Sequence, residues 1–184
     1  MKCKKALALL LAAVLTAGIL AGCASSASSG SERRLGSFQA VTLDGGTFTQ
    51  ADIAGKDVTI INFWGTFCAP CIAEMPDLAA FAKALPDNVQ LITVCIDAAG
   101  GVQTAQDLLD QAGYEGVTLV GGDGDFQEVL GEIQAVPTTI FVDAKGNQVG
   151  SEILGRQADL AGTFLAAVNE ALKAGGKAEI SLEQ

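Results

Sequence analysis

Val58–Trp64 (VTIINFW) is a β-branched and aromatic run suited to a buried strand, and four residues past its end stands Cys68-Ala69-Pro70-Cys71. From Cys71 to Leu85 the apolar residues Ile72, Met75, Leu78, Ala79, Ala82 and Leu85 then fall at helical spacing, interrupted by Pro76. A cysteine pair at a strand-to-helix junction has a physical logic. The unpaired N–H groups and dipole of a helix start favour an anion there, so the thiol of Cys68 is expected to ionise easily and attack. Cys71, one turn on, can close a small disulfide and displace a bound substrate thiol, while Pro70 restricts the turn between them. Three plainer readings compete. A zinc site needs four ligands, but the predicted exported domain holds only Cys68, Cys71 and Cys95 and no histidine. A structural disulfide would close so short a loop that it removes little chain entropy. A chance pairing is the third, and the strand-to-helix context favours redox chemistry over all three.

The remaining elements follow from periodicity. Phe38–Leu43, a turn at Asp44-Gly45-Gly46 and Thr47–Thr49 read as a small hairpin. Val89–Ile96 is a second buried strand, Thr104–Ala112 a helix, Val117–Val120 a short extended piece and Phe126–Ile133 another helix. Thr138–Val142, a turn over Asp143–Asn147 and a return strand Val149–Leu154 precede a last amphipathic helix, Ala158–Lys173. Strands alternating with helices predict an α/β fold: a central mixed sheet with helices on both faces and an N-terminal hairpin extension. Cys95, inside an apolar strand, reads as a buried inert thiol, with a regulatory disulfide as the sharper alternative. Asp123 and Asp125 suggest the start of a calcium loop, but Glu128 stands where that loop needs glycine, and the reading fails.

The chain opens as an address. Met1–Lys5 carries three lysines and Ala6–Leu20 is uncharged, the basic and apolar regions of an export signal. Fifteen residues rise about 22 Å as a helix, short of a hydrocarbon core of about 30 Å, which disfavours a membrane span. Leu20-Ala21-Gly22-Cys23 then resembles a bacterial lipobox, with Cys23 as the lipidated residue. This predicts a signal peptide over 1–22, a tether over 23–37 with a reach of about 20 Å, a domain over 38–174 and a frayed tail over 175–184. The expected location is the extracytoplasmic face of a bacterial cell membrane, held by lipid.

Charge and composition narrow the rest. With 11 Lys+Arg against 21 Asp+Glu, the net charge of −10 leaves no basic footprint for nucleic acid. The absence of histidine excludes Ser-His-Asp and Cys-His catalysis and His-ligated metals. No metal and no cofactor are expected, and the domain is expected to be a monomer.

Phe63 to Pro76, F-W-x-x-x-C-x-P-C-x-x-E-x-P, resembles the extracytoplasmic thioredoxin-like proteins of TlpA/ResA type. Ala135–Asp143 (AVPTTIFVD) resembles that family's cis-proline loop and following strand. The resemblance covers about Phe38 to Lys173 and implies a thioredoxin fold, with Pro137 cis and packed against the Cys68–Cys71 pair. It implies that the backbone at Val136 and Pro137 pairs with an extended substrate, beside Trp64, Phe67, Ala69 and Pro70. For Trp64 a core role is the alternative. Glu74 matches the family's acidic residue, which suggests proton transfer at Cys71; a helix-surface carboxylate is the competing reading. Asn62 stands where cytoplasmic thioredoxins have aspartate, and Phe67 replaces the commoner tryptophan.

The implied activity is thiol–disulfide oxidoreduction, reducing exported proteins such as apocytochrome c or methionine sulfoxide reductase, with electrons from a membrane donor of CcdA/DsbD type. An oxidase of DsbA-like direction is the first alternative. A peroxiredoxin-like peroxidase lacks its Pro-x-x-x-Thr-x-x-Cys motif here, and a non-catalytic binding module is the remaining class.

Overall fold

The computed structural model describes residues 33–182. The predicted signal peptide, Cys23 and the first part of the predicted tether lie outside the described residues. Among the described residues no helix is long and apolar enough to cross a membrane.

Seven strands form one sheet: β1 (Gln39–Thr42), β2 (Thr47–Thr49), β3 (Val58–Trp64), β4 (Val89–Cys95), β5 (Thr118–Gly122), β6 (Thr138–Asp143) and β7 (Ile153–Leu154), in the order β2-β1-β5-β4-β3-β6-β7. β3, β4 and β5 run parallel, while β6, β7 and the β1–β2 hairpin are antiparallel to their neighbours. The hairpin extends the sheet beyond β5, as its alternating sequence predicts. The helices are α1 (Gln50–Ala54), α2 (Ala69–Lys83), α3 (Val102–Ala112), α4 (Asp125–Glu132) and α5 (Leu160–Ala174).

β3 is buried along its whole length because it is central and covered on both sides. Its alternate residues therefore serve two cores. Val58, Ile60 and Trp64 pack toward Leu78 of α2, Leu109 of α3 and Phe164 and Val168 of α5. Ile61 and Phe63 face Phe38, Phe48, Ile53 of α1 and Phe126 of α4. Each large side chain removed from water contributes about 1.5–3 kcal/mol, so these two layers supply most of the force that holds the sheet. Edge-on contacts of Phe164 with both Phe81 and Phe141 tie α5 to α2 and β6.

Several segments depart from the sequence reading. α1 is an addition to the sequence reading; Thr49 caps it, and the Asp52 carboxylate accepts the N–H of Thr49 in return. The return strand is shorter than Val149–Leu154: Gln148 and Val149 make a single bridge to Val142 and Phe141 of β6, Gly150 then turns with φ +71°, and the strand resumes only at Ile153–Leu154. Residues 33–37 behave as part of the domain instead of tether. Leu35 is buried and donates its N–H to Gly146 O, and the Asp125 carboxylate accepts the N–H groups of Gly36 and Ser37. The Arg33 guanidinium pairs with Glu132 and Glu152. The described part of the expected frayed tail is likewise docked: Lys177 pairs with Asp57 at 2.7 Å, and Asn169 bonds both N–H and C=O of Ile180. Short polar stretches give no periodic signal, so such long-range docking is invisible in the sequence.

Candidate active site

The end of β3 delivers the chain to α2 through Gly65-Thr66-Phe67, and Cys68 is the N-cap of that helix. Pro70 in the first turn supplies helical φ without wasting an intrahelical donor. Cys68 and Cys71 form a disulfide with Cα atoms 5.3 Å apart, and the Cys71 N–H points at Cys68 Sγ at 3.3 Å. When the pair is reduced, that N–H and the helix start are placed to stabilise a thiolate on Cys68. Cys71 is more deeply buried than Cys68, at 1% against 6% exposure, so an incoming group meets Cys68 first.

The Val136–Pro137 peptide is cis, as the resemblance implied, and Cys68 Sγ lies 3.5 Å from the Val136 carbonyl oxygen. Pro137 is buried, Val136 half-buried, and the loop is fastened by Thr138 Oγ1 donating to Ala135 O and by Gly155 N–H donating to Pro137 O. Ala69 and Pro70 are exposed, and Phe67 is 69% exposed on the same rim. Leu154, also exposed, pairs with Thr138 just past the proline. Trp64 is different. It is wholly buried, so it cannot touch a substrate and its core alternative is the correct one.

Glu74 is not a surface carboxylate. It is 2% exposed, on α2 one turn beyond Cys71, and accepts a hydrogen bond from Asn62 Nδ2 at 3.3 Å. Burial pushes its carboxyl up to about 7, against the lowering effect of hydrogen bonds from Asn62 and the Gln157 backbone and the charge of Arg156. Asn62 Nδ2 also donates to Thr139 Oγ1 at 2.9 Å, so β3, β6 and α2 meet in one buried polar chain. An asparagine at this point donates to Glu74, where an aspartate would repel it.

Cys95 is buried at the end of β4, opposite Trp64. Its thiol donates to Asp97 Oδ1 at 3.3 Å, and burial together with that carboxylate pushes it up to about 12. Asp97 itself, which the sequence reading passed over, accepts from Thr66 N at 2.9 Å and from Thr66 Oγ1 at 2.6 Å. Burial raises its carboxyl, but the Thr66 and Cys95 hydrogen bonds prevail and hold it below the ordinary aspartate value. The available signal was its place just past a buried strand parallel to the one that carries the cysteine pair.

The chain was compared with known proteins. Residues 28–160 match the Redoxin family. The chain is 30% identical over 105 residues to the thiol-disulfide oxidoreductase ResA of Oceanobacillus iheyensis, covering 56% of this chain and 53% of that relative. The chain therefore spans about half the length of that curated relative. Among solved structures, the MTB dsbF protein in its mixed oxidized and reduced forms superposes with a TM-score of 0.59 at 26% identity, over 72% of this chain and 96% of that one. The pneumococcal exposed lipoprotein thioredoxin Etrx1 from Streptococcus pneumoniae gives 0.54 at 27% identity, over 75% and 98%. The match to 28–160, the thioredoxin-type sheet and the cis-proline beside the cysteine pair agree: this chain belongs to the redoxin family, as a TlpA/ResA-like protein of thioredoxin fold.

Proposed function

We propose that the chain is a thiol–disulfide oxidoreductase of ResA type, which reduces disulfides of exported proteins while anchored by lipid on Cys23 to the outer face of a bacterial membrane. The observation that carries the reading is the buried Glu74, held by Asn62 one turn beyond Cys71 on the helix that Cys68 caps.

The reduced Cys68 thiolate attacks one sulfur of a substrate disulfide and expels the other as a thiolate, leaving a mixed disulfide. Cys71 gives its proton to Glu74, attacks Cys68 Sγ and releases the second substrate thiolate, closing Cys68–Cys71. Two electrons pass to the substrate, and protons from the medium neutralise its thiolates. Glu74 suits this task because a carboxyl near 7 can both accept and return a proton at neutral pH. The Val136–Pro137 backbone, Ala69, Pro70 and the exposed Phe67 make the platform on which an extended substrate lies beside Cys68. Trp64 supports that platform from below. Re-reduction then falls to a membrane dithiol donor of CcdA/DsbD type, and apocytochrome c or methionine sulfoxide reductase fits as substrate.

The lipobox-like Leu20–Cys23 supports the anchor, and a structurally similar pneumococcal protein is itself an exposed lipoprotein. Equilibration of Cys68–Cys71 in glutathione buffers tests the direction. A potential near that of thioredoxin, about −270 mV, is expected, and one above about −180 mV would instead mark an oxidase. Mass spectrometry with and without globomycin tests the anchor: untreated cells should yield lipidated Cys23 as the mature N-terminus and treated cells the uncleaved precursor, whereas an unlipidated mature N-terminus elsewhere in untreated cells excludes it.

A further inference from the structure

The cysteine pair reaches its position through only three residues, Gly65, Thr66 and Phe67, between the end of β3 and the cap of α2. Two of the backbone groups around this link are fixed by other backbone groups, Cys68 N–H by Gly65 O within the link and Trp64 O by the N–H of Ile96 beyond β4. The middle residue is held from outside. Both polar groups of Thr66 that face β4, its N–H and its hydroxyl, end on the Asp97 carboxylate, thirty-one positions away in sequence. The third donor to that carboxylate is the thiol of Cys95.

We propose that Asp97 is a positioning residue for the thiol exchange: it clamps Thr66 so that the link presents Cys68 at the helix start, and Cys95 serves as a donor that orients the clamp. A carboxylate with two hydrogen bonds to one residue fixes both the distance and the rotation of that residue. Loss of the clamp frees the link, and the attacking sulfur then samples positions away from the Cys71 N–H and from the Val136 carbonyl beside which it now sits. The side chain of Phe67, exposed on the link, loses its fixed place with it. Asp97 touches neither substrate nor reacting sulfur in this scheme. It acts through Thr66.

The inference rests on Cys68 being the attacking sulfur, and one experiment separates the two. The full chain is reduced, and alkylation of Cys68 by iodoacetamide is timed by peptide mass spectrometry, alongside kcat and KM for insulin reduction and the thermal midpoint. Asp97→Ala is expected to slow Cys68 alkylation and lower kcat about tenfold, since small misplacement of a reacting atom is costly. Asp97→Asn can still accept from Thr66 N–H through Oδ1 and donate to Thr66 Oγ1 through Nδ2, so it is expected to stay within about twofold of the wild type. An Asp97→Ala protein with wild-type rates, or an Asp97→Asn protein as slow as Asp97→Ala, overturns the clamp; the latter would mark a charge effect. If Asp97→Ala does not fold, the Thr66 pair decides. Thr66→Val is then expected to run about threefold slow with Thr66→Ser near wild type, and equal rates for both overturn the proposal. A wild-type Cys68 that alkylates no faster than an ordinary thiol overturns the reading of Cys68 itself and this one with it. A fast wild type with indifferent variants overturns only the role of Asp97.

Discussion

Cys68 and Cys95 sit at the same end of one sheet, one just beyond β3 and the other on the last residue of β4, and one sulfur meets a backbone N–H while the other meets a carboxylate. Cys68 caps a helix, faces a backbone N–H and lies at the edge of an exposed rim. Cys95 has no exposure and donates a hydrogen bond to a carboxylate; burial first, and that carboxylate second, push the thiol up to about 12. Residue type therefore says little about redox role. The sign of the nearest partial charge and access from solvent decide it.

The contrast breaks most sharply by removing the first sulfur. Cys68→Ser is expected to bring insulin reduction down to the uncatalysed rate, and retention of activity would make Cys68 a bystander. The next effect concerns the carboxyl below the pair. Glu74 has its proton affinity raised in the folded state, so the native protein holds a proton that the unfolded chain has lost between about pH 4.5 and 7. Stability should fall as pH rises through that window, by a few kcal/mol at most, with the loss complete above pH 7. In Glu74→Gln this component should vanish from the difference between urea melts at pH 4.5 and 7.5, and the rise of Cys71-dependent turnover with pH should change shape. An unchanged pH profile removes Glu74 from proton transfer.

How much of this was readable in advance depended on the range of the interaction. β3 was legible to the residue because an apolar run of β-branched and aromatic residues, broken only by the polar Thr59 and Asn62 and bounded by Asp57 and Gly65, has one good solution. The cysteine pair and the cis-proline loop were legible as motifs. Glu74 could be named but not placed, because helical spacing near Pro76 does not say which side faces Asn62 on β3. The Thr66–Asp97 clamp and the docking of Arg33 and Ile180 join residues that share no local pattern, and only the folded sheet brings them together. For Trp64 the resemblance offered a place beside the substrate and a core role as the alternative; alternation along β3 puts it on the same inward face as Ile60, which favours the core role.

Smaller effects sharpen the comparison. Cys95→Ala should cost about 1–2 kcal/mol in urea unfolding through lost packing and leave insulin reduction within about twofold, while native-state alkylation of Cys95 should be undetectable. A large loss of activity there, with Cys95 still unreactive, would mean that the hold of Asp97 on Thr66 depends on the Cys95 donor. Phe67→Ala should change stability by less than about 0.5 kcal/mol, because the ring is already in solvent, and raise KM for protein disulfides about threefold with kcat unchanged.

The fastening of residues 33–37 and 177–182 bears on survival as well as shape. An exopeptidase working inward from the carboxyl side reaches Ile180 and finds both backbone groups clasped by Asn169, so trimming halts before α5 unless the clasp opens. From the other side the N–H of Leu35 is engaged on Gly146 and its side chain is beneath the surface. Digestion is thus coupled to local opening at both margins, and the lifetime of the domain among proteases becomes a property of how often those margins open.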